Sequence, residues 1–322
     1  MEPNEEQQKL IENREGVYLV DAGAGTGKTF SLTSRYSGIL REVEPDEILL
    51  ATFTRNAAEQ MKERIIRKNP AKAEKIEGAP IQTFHSLCRD ILRERGVDAP
   101  RLIGIDQSVP GELDLIQSNV RETREFEKFF SEFQSAHPEH EQLTRIIERE
   151  SQLLELLRNI SARGIIPTEE GWFGKSEEYL DGDFEEFMEL FRKKNSPRKG
   201  KRGKKQSRLR ERLYSYDYRL LPEESPGIED VRGDRGTKKV RRDFARRAFK
   251  EDRSEIKQFV HDLYLEYLEY CLQRGYLNFG FLMVLTYVML HQDGSTRREL
   301  EFSYVMIDEF QDTNEIQFKL AL

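Results

Sequence analysis

The chain has 322 residues, 37% of them apolar and 34% charged, with a net charge of −7, two cysteines and five histidines. That length supports one large or two medium domains with ample core, and the negative balance excludes a uniformly basic nucleic-acid binder. Cys88 and Cys271, with histidines scattered at no metal-ligand spacing, exclude a disulfide framework and give no expectation of structural zinc.

Taken from the N-terminus, the apolar run at residues 17–20 predicts a buried strand. It leads into Ala22, Gly23, Ala24, Gly25, Thr26, Gly27, Lys28 and Thr29, after which a helical pattern begins. Residues 48–52 and 79–83 predict two more strands, each followed by a helix, so residues 1–110 carry the alternation of a parallel sheet with crossover helices. Residues 111–275 are predicted helical. Within them Ile256, Phe259, Val260, Leu263, Tyr264, Tyr267, Leu268, Cys271 and Leu272 repeat at helical spacing, one apolar face for a core.

Charge is strongly segregated inside that block. Between Arg192 and Arg212, twelve basic residues stand against one acidic residue, +11 over a stretch with interspersed Gly, Ser and Pro. Such a density repels itself and predicts a loop without fixed structure, read either as solvated surface or as a footprint for a nucleic-acid backbone. The apolar stretch 279–290 is too short to span a bilayer and predicts a buried helix. With no N-terminal signal and no disulfide framework, a cytoplasmic protein is expected, with no membrane partner. The strand pattern returns at residues 304–307, so the helical block is read as an insertion into an α/β domain made of residues 1–110 and 276–322.

Two motifs carry chemistry. The glycine-rich loop between strand and helix brings backbone N–H groups to phosphate oxygens at the positive end of a helix. Lys28 then reaches the terminal phosphates, and Thr29 supplies a hydroxyl to Mg²⁺. The apolar run 304–307 ends in Asp308 and Glu309, a second magnesium ligand beside a group that orients or deprotonates an attacking water. Together they specify a nucleoside triphosphatase that uses Mg²⁺.

Five blocks in order resemble the UvrD/Rep family of superfamily 1 DNA helicases. Asn4 to Gln7 resembles the Q motif, residues 22–29 motif I, residues 48–61 motif Ia, Gln82 to Ser86 motif Ib, and Asp308 to Asn314 motif II. The resemblance implies a RecA-like domain with a parallel sheet, interrupted by a helical subdomain that holds DNA. It implies that Gln7 reads the adenine edge, that Gln311 joins Lys28 and Glu309 in catalysis, and that Thr52, Phe53, Thr54, Arg55, Thr83, Phe84 and His85 face single-stranded or partly duplex DNA. The resemblance stops after motif II: motifs III to VI, and the family's second RecA-like domain with its arginine fingers, are not found in this sequence. Activity is therefore expected to need a second polypeptide carrying that half. The alternative is a non-catalytic ATP- and DNA-binding module that docks onto a partner.

Overall fold

The computed structural model describes residues 3–23, 25–146, 150–182, 187, 190 and 253–321; the predicted basic loop 192–212, and Ala24 of the glycine-rich loop, lie outside them. The backbone forms two compact units, Met1–Gly96 with Thr286–Leu322, and Val97–Leu285.

The first unit is built on a three-stranded parallel sheet. Its middle strand β1 (Ile48–Thr52) is buried at all five positions, as expected for a strand covered on both faces. It pairs with β2 (Ile81–Thr83) in the register Leu50 to Ile81, and with β3 (Tyr304–Ile307) in the register Ile48 to Tyr304. Side chains alternate between faces. Ile48 and Leu50 pack with Tyr36, Ile39, Met61, Ile65 and Met306, whereas Leu49 and Ala51 pack with Phe84. The predicted strand 79–83 contracts to Ile81–Thr83 at the point where Pro80, which has no N–H, offers only its carbonyl to Leu50 N at 3.0 Å.

Helices α1 (Glu5–Glu12), α2 (Lys28–Ile39), α3 (Arg55–Lys68) and α4 (Phe84–Arg95) belong to this unit. Threonines start the two that follow strands. Thr54 Oγ1 accepts from Ala57 N and Thr83 Oγ1 from Ser86 N, both at 3.2 Å, satisfying amides that the first turn leaves unpaired. Cys88 on α4 is a buried free thiol.

One sequence expectation fails here. Residues 17–20 form no strand, and Val17, Leu19 and Val20 are exposed, at 101%, 80% and 50%. A short apolar run becomes a strand only if a ladder edge receives it, and this one is held locally instead. Tyr18 donates its hydroxyl to Glu15 O at 2.6 Å, and the Arg35 guanidinium stands 5.1 Å over its ring. Arg35 itself is buried and donates to the carbonyls of Leu10 and Asn13, tying α1 to α2.

The second unit is largely helical, with two-residue bridges joining Asp114–Leu115 to Tyr276–Leu277 and Pro167–Thr168 to Gly171–Trp172. Its core lies between α5 (Asn119–Ala136) and α6 (Ser254–Gln273). All nine residues of the predicted apolar face on α6 are buried. Phe126 meets Tyr267 edge-on at 4.9 Å between centroids, Phe129 lies 5.0 Å from Tyr267, and Tyr264 stacks on Phe281 at 5.4 Å. The predicted helix 279–290 is present as α7 (Phe279–Gln292). Asn278 caps it by accepting Phe281 N at 2.8 Å and donates to the buried carboxylate of Glu122, which also receives Arg158. Cys271 is a second buried free thiol. Among the described residues no helix is long and apolar enough to cross a membrane.

The expectation that the histidines make no cluster is also corrected. His137 and His140 follow α5, His261 lies on α6, and the packing of α5 against α6 brings them to one group of carboxylates. Residues 121 positions apart leave no spacing signature.

Two consequences are measurable. Gly104 has φ +88°, and a Cβ there would sit 2.2 Å from Glu169 Cβ, so Gly104→Ala should destabilise the chain by about 2–4 kcal/mol in a denaturant titration. Gly111→Ala, where a Cβ meets nothing within 4 Å, should change little. Burial pushes the Cys88 thiol up to about 12 and Cys271 well above the ordinary range, so neither should react with a disulfide reagent in the native state at pH 8. Both should react after unfolding. Stability should fall as pH rises above about 9, where the unfolded thiols release protons that the folded ones retain.

Candidate nucleotide and nucleic-acid site

The C-terminal ends of the three parallel strands lie along one edge of the sheet, where α/β folds place their ligands. The ladder extends past β3, since Asp308 N donates to Ala51 O at 2.9 Å. The adjacent Glu309 then turns sharply, with φ 52°, the only non-glycine residue at positive φ among those described. This turn separates the two carboxylates. Asp308 stays half-buried at the strand end, while Glu309 reaches toward α2.

There it meets the glycine-rich loop. Lys28 Nζ lies 3.5 Å from Glu309 Oε2, a contact across 281 positions of sequence. Gln311 donates its amide to the same Glu309 oxygen. Gln311 and then Lys28 hold the Glu309 carboxyl below the usual carboxylate range, whereas burial, and then the negative charge of Glu309, push Asp308 above it. Adjacent carboxylates in environments this different have distinct work available to them.

The loop suits an anion. Gly27, at φ 93°, starts α2 without any side-chain cap, so the first-turn N–H groups are claimed by no side chain. Gly25 is at φ +79° with nothing within 4 Å of the place a Cβ would fill, leaving room for a ligand to approach the backbone. Thr26 Oγ1 donates to Gly23 O at 2.8 Å and closes the turn. Thr29 is half-buried in the first turn, and no hydrogen bond of its hydroxyl is described. The residues fit a magnesium-bound triphosphate: Thr29 and Asp308 would hold the cation, and Lys28 with the loop amides the phosphates. Ala22 and Gly23 are described as irregular backbone.

Gln7 has a local role that the motif did not show. Its side-chain oxygen accepts Asn4 N at 3.0 Å while Asn4 Oδ1 accepts Gln7 N at 2.8 Å, a capping box at the start of α1. Its Nε2 donates to Thr26 O at 2.9 Å, which ties α1 to the loop and leaves one amide hydrogen for another acceptor.

Beside the carboxylates lies a cleft lined by Thr52, Phe53, Thr83, Phe84, His85, Ile307, Asp308, Thr313 and Gln317. The residues expected to face DNA divide into two groups. Phe53, Thr54 and Arg55 are exposed, Phe53 at 59%. Thr52, Thr83 and Phe84 are buried: Thr52 donates to Thr54 O at 3.0 Å, Thr83 caps α4, and Phe84 packs on Leu49 and Ala51. Of the two aromatics, only Phe53 offers a ring face to solvent. His85 is half-buried, and burial followed by the nearby Arg55 charge lowers its pKa, so it presents a neutral hydrogen-bonding ring. Sequence reasoning did not assign Thr313 and Gln317 to the site. Asn314 to Gln317 repeats the capping-box pattern of Asn4 to Gln7 and is the signal that places this turn.

Comparison with known proteins identifies relatives of the chain. The chain is 28% identical to an ATP-dependent helicase/nuclease subunit of Exiguobacterium sibiricum, covering 98% of this chain and 33% of that protein. It is 43% identical over 107 residues to "ATP-dependent DNA helicase PcrA" of Staphylococcus aureus, covering 33% and 14%, and 41% identical over 95 residues to "Probable DNA helicase II homolog" of Mycoplasma pneumoniae, covering 29% and 13%. The chain thus spans a third or less of the length of these relatives. Matching the family's N-terminal domain over residues 3–321, it belongs to the UvrD/REP helicase N-terminal domain family.

Proposed function

We propose that this chain is the ATP-binding motor domain of an ATP-dependent DNA helicase, coupling ATP hydrolysis to movement on DNA. The observation that carries the reading is the approach of Lys28 to Glu309, which sets a phosphate-binding loop against the carboxylates at a strand end. In this reading the unit Met1–Gly96 with Thr286–Leu322 is the RecA-like motor, and Val97–Leu285 is the helical insertion that helps hold DNA.

The chemistry assigns separate roles. Mg²⁺, when bound, offsets charge on the phosphate oxygens. Thr29 and Asp308 hold it from the helix start and the strand end. Lys28 exchanges its contact with Glu309 for a phosphate oxygen, which frees the carboxylate to orient a water in line with the terminal phosphate. Gln311 fixes the direction of that carboxylate. Side chains of Lys28 and Glu309 are 29% and 40% exposed, so the site is open on one side and a second surface is needed to exclude water and supply further positive charge. That surface is the role we assign to a second motor domain. On the nucleic-acid side, Phe53 stacks on a base without sequence preference, while Thr54 and Arg55 contact phosphates.

Lys28→Ala should abolish binding of a fluorescent ATP analogue in the presence of Mg²⁺. Glu309→Gln should bind as tightly as the parent chain or a few-fold tighter, because it releases Lys28, while any DNA-stimulated ATP turnover is lost. A tenfold weaker affinity in Glu309→Gln would contradict this division of labour. ATP binding without turnover, even when a second motor domain is supplied, would favour a non-catalytic ATP- and DNA-binding module.

The two aromatic positions should also separate. Phe53→Ala should weaken binding of a labelled single strand by roughly 1–3 kcal/mol without lowering stability. Phe84→Ala should cost about 3–5 kcal/mol of stability, being a core truncation. Arg55→Ala should flatten the dependence of log affinity on log salt by about 0.7 for one lost phosphate contact. Loss of DNA binding in Phe84→Ala at full stability would reverse the assignment.

A further inference from the structure

The second unit contains a group of side chains unconnected with nucleotide chemistry. The turn Pro138–His140 follows α5 and faces one side of α6. His137 Nδ1 lies 2.7 Å from Glu139 Oε1, and its Nε2 lies 2.7 Å from Glu266 Oε1. His140, only 5% exposed, holds Asp262 Oδ2 through Nε2 at 2.9 Å, and no hydrogen bond of its Nδ1 is described. One ligand atom from each of His137, Glu139 and His140 lies within 4.8 Å of the other two.

We infer that His137, Glu139 and His140 form a binding site for a divalent transition metal of the zinc class, with Glu266 and Asp262 as the carboxylates that orient its two imidazoles. Zinc holds nitrogen and oxygen ligands at about 2.0–2.2 Å, so the ligands of a tetrahedral site stand roughly 3.3–3.6 Å apart. The three atoms, within 4.8 Å of one another, would have to close by about 1 Å to reach that spacing. A ligating histidine ordinarily gives its other ring nitrogen to a carboxylate, which fixes its tautomer and direction. Both histidines have such a partner on α6, one helical turn apart.

The neighbouring groups sort themselves by what they already hold. Asp262 accepts from His140, from His261 Nδ1 at 3.0 Å and from Gln258 Nε2 at 2.7 Å, so it is committed to orientation and is not a ligand. His261 uses its other nitrogen on Thr168 O at 2.8 Å and is likewise occupied. Glu139, Asp262 and Glu266 bring three carboxylates to the histidines, no described ion pair brings Lys or Arg to any of them, and a dication would replace the proton shared between His137 Nδ1 and Glu139. The Phe133 ring lies 4.5 Å from the His137 ring and 6.0 Å from that of His140, and Phe259 lies 5.4 Å from His140, an apolar floor that limits water on one side. Three protein ligands leave a fourth position for water. The bound ion would clip the turn after α5 to α6.

The test uses the full chain carrying Asp308→Asn, so that the strand-end carboxylate does not compete. After dialysis against a chelator, the protein is titrated with Zn²⁺ by calorimetry and with Co²⁺ by visible absorption. One equivalent should bind, and Zn²⁺ should raise the thermal midpoint. Glu266→Gln should weaken binding 10- to 100-fold, as outer-shell losses do. His140 is buried and its replacement risks the fold, so Glu139→Gln, whose side chain is 59% exposed, carries the decision. It should weaken Zn²⁺ binding at least tenfold with an unchanged circular dichroism spectrum. Absence of uptake, or affinity undiminished by Glu139→Gln, overturns the assignment.

Discussion

The first unit depends on β1, a strand buried along its whole length and paired on both edges. Desolvating five consecutive peptide groups is tolerable only if nearly all of their N–H and C=O groups are bonded, so the registers of β2 and β3 are strongly constrained. Those registers set the chemistry. Parallel pairing aligns the strand ends, and the bond from Asp308 N to Ala51 O carries the ladder one residue beyond β3. The half-buried carboxylate of Asp308 is thereby placed beside Thr52 and Thr83, side chains that the ladder also fixes. A slip by one residue would move Ile48 and Leu50 to the other face and carry the carboxylates out of line.

The glycine-rich loop is positioned by different means. Residues 17–20 give it no ladder, and its placement comes from side chains: Gln7 on the carbonyl of Thr26, Arg35 on the last carbonyls around α1, and Lys28 on Glu309. An ion pair with both partners substantially exposed is screened and contributes little to stability. Its weakness suits the exchange of partners that the proposed role of Lys28 requires. The loop is therefore anchored at its flanks, through Gln7 and Arg35, while the start of α2 carries no side-chain cap.

In the second unit the aromatic seam between α5 and α6 does the comparable structural work. Phenylalanine and tyrosine rings at offset and edge-on angles fill the interface, and truncating any of them would cost several kcal/mol. Beside the seam, buried Glu122 receives both Asn278 and Arg158, so Asn278 serves as a helix cap and carboxylate partner, whereas the buried hydroxyls of Tyr264 and Tyr267 have no hydrogen-bond partner among the described residues. The same packing sets the separation between the turn at His137 to His140 and the carboxylates of α6.

Sequence alone determined whatever depends on local pattern. Continuous apolar runs marked β1 and β3, helical spacing marked the buried face of α6, and Lys28 and Glu309, singled out by residue type alone, stand 3.5 Å apart. Only the tertiary structure decided matters that depend on partners far away in the chain. It left residues 17–20 unpaired, since an apolar run does not specify which sheet edge will receive it. Phe84 went to the core and Phe53 to solvent, because two aromatics in similar strand-to-helix turns differ only in what packs over them. Gln7 became a clasp on the loop through a carbonyl nineteen residues away. Three histidines with no common spacing met at the carboxylates of α6 for the same reason: proximity between distant segments arises from packing, and no periodicity in the sequence encodes it.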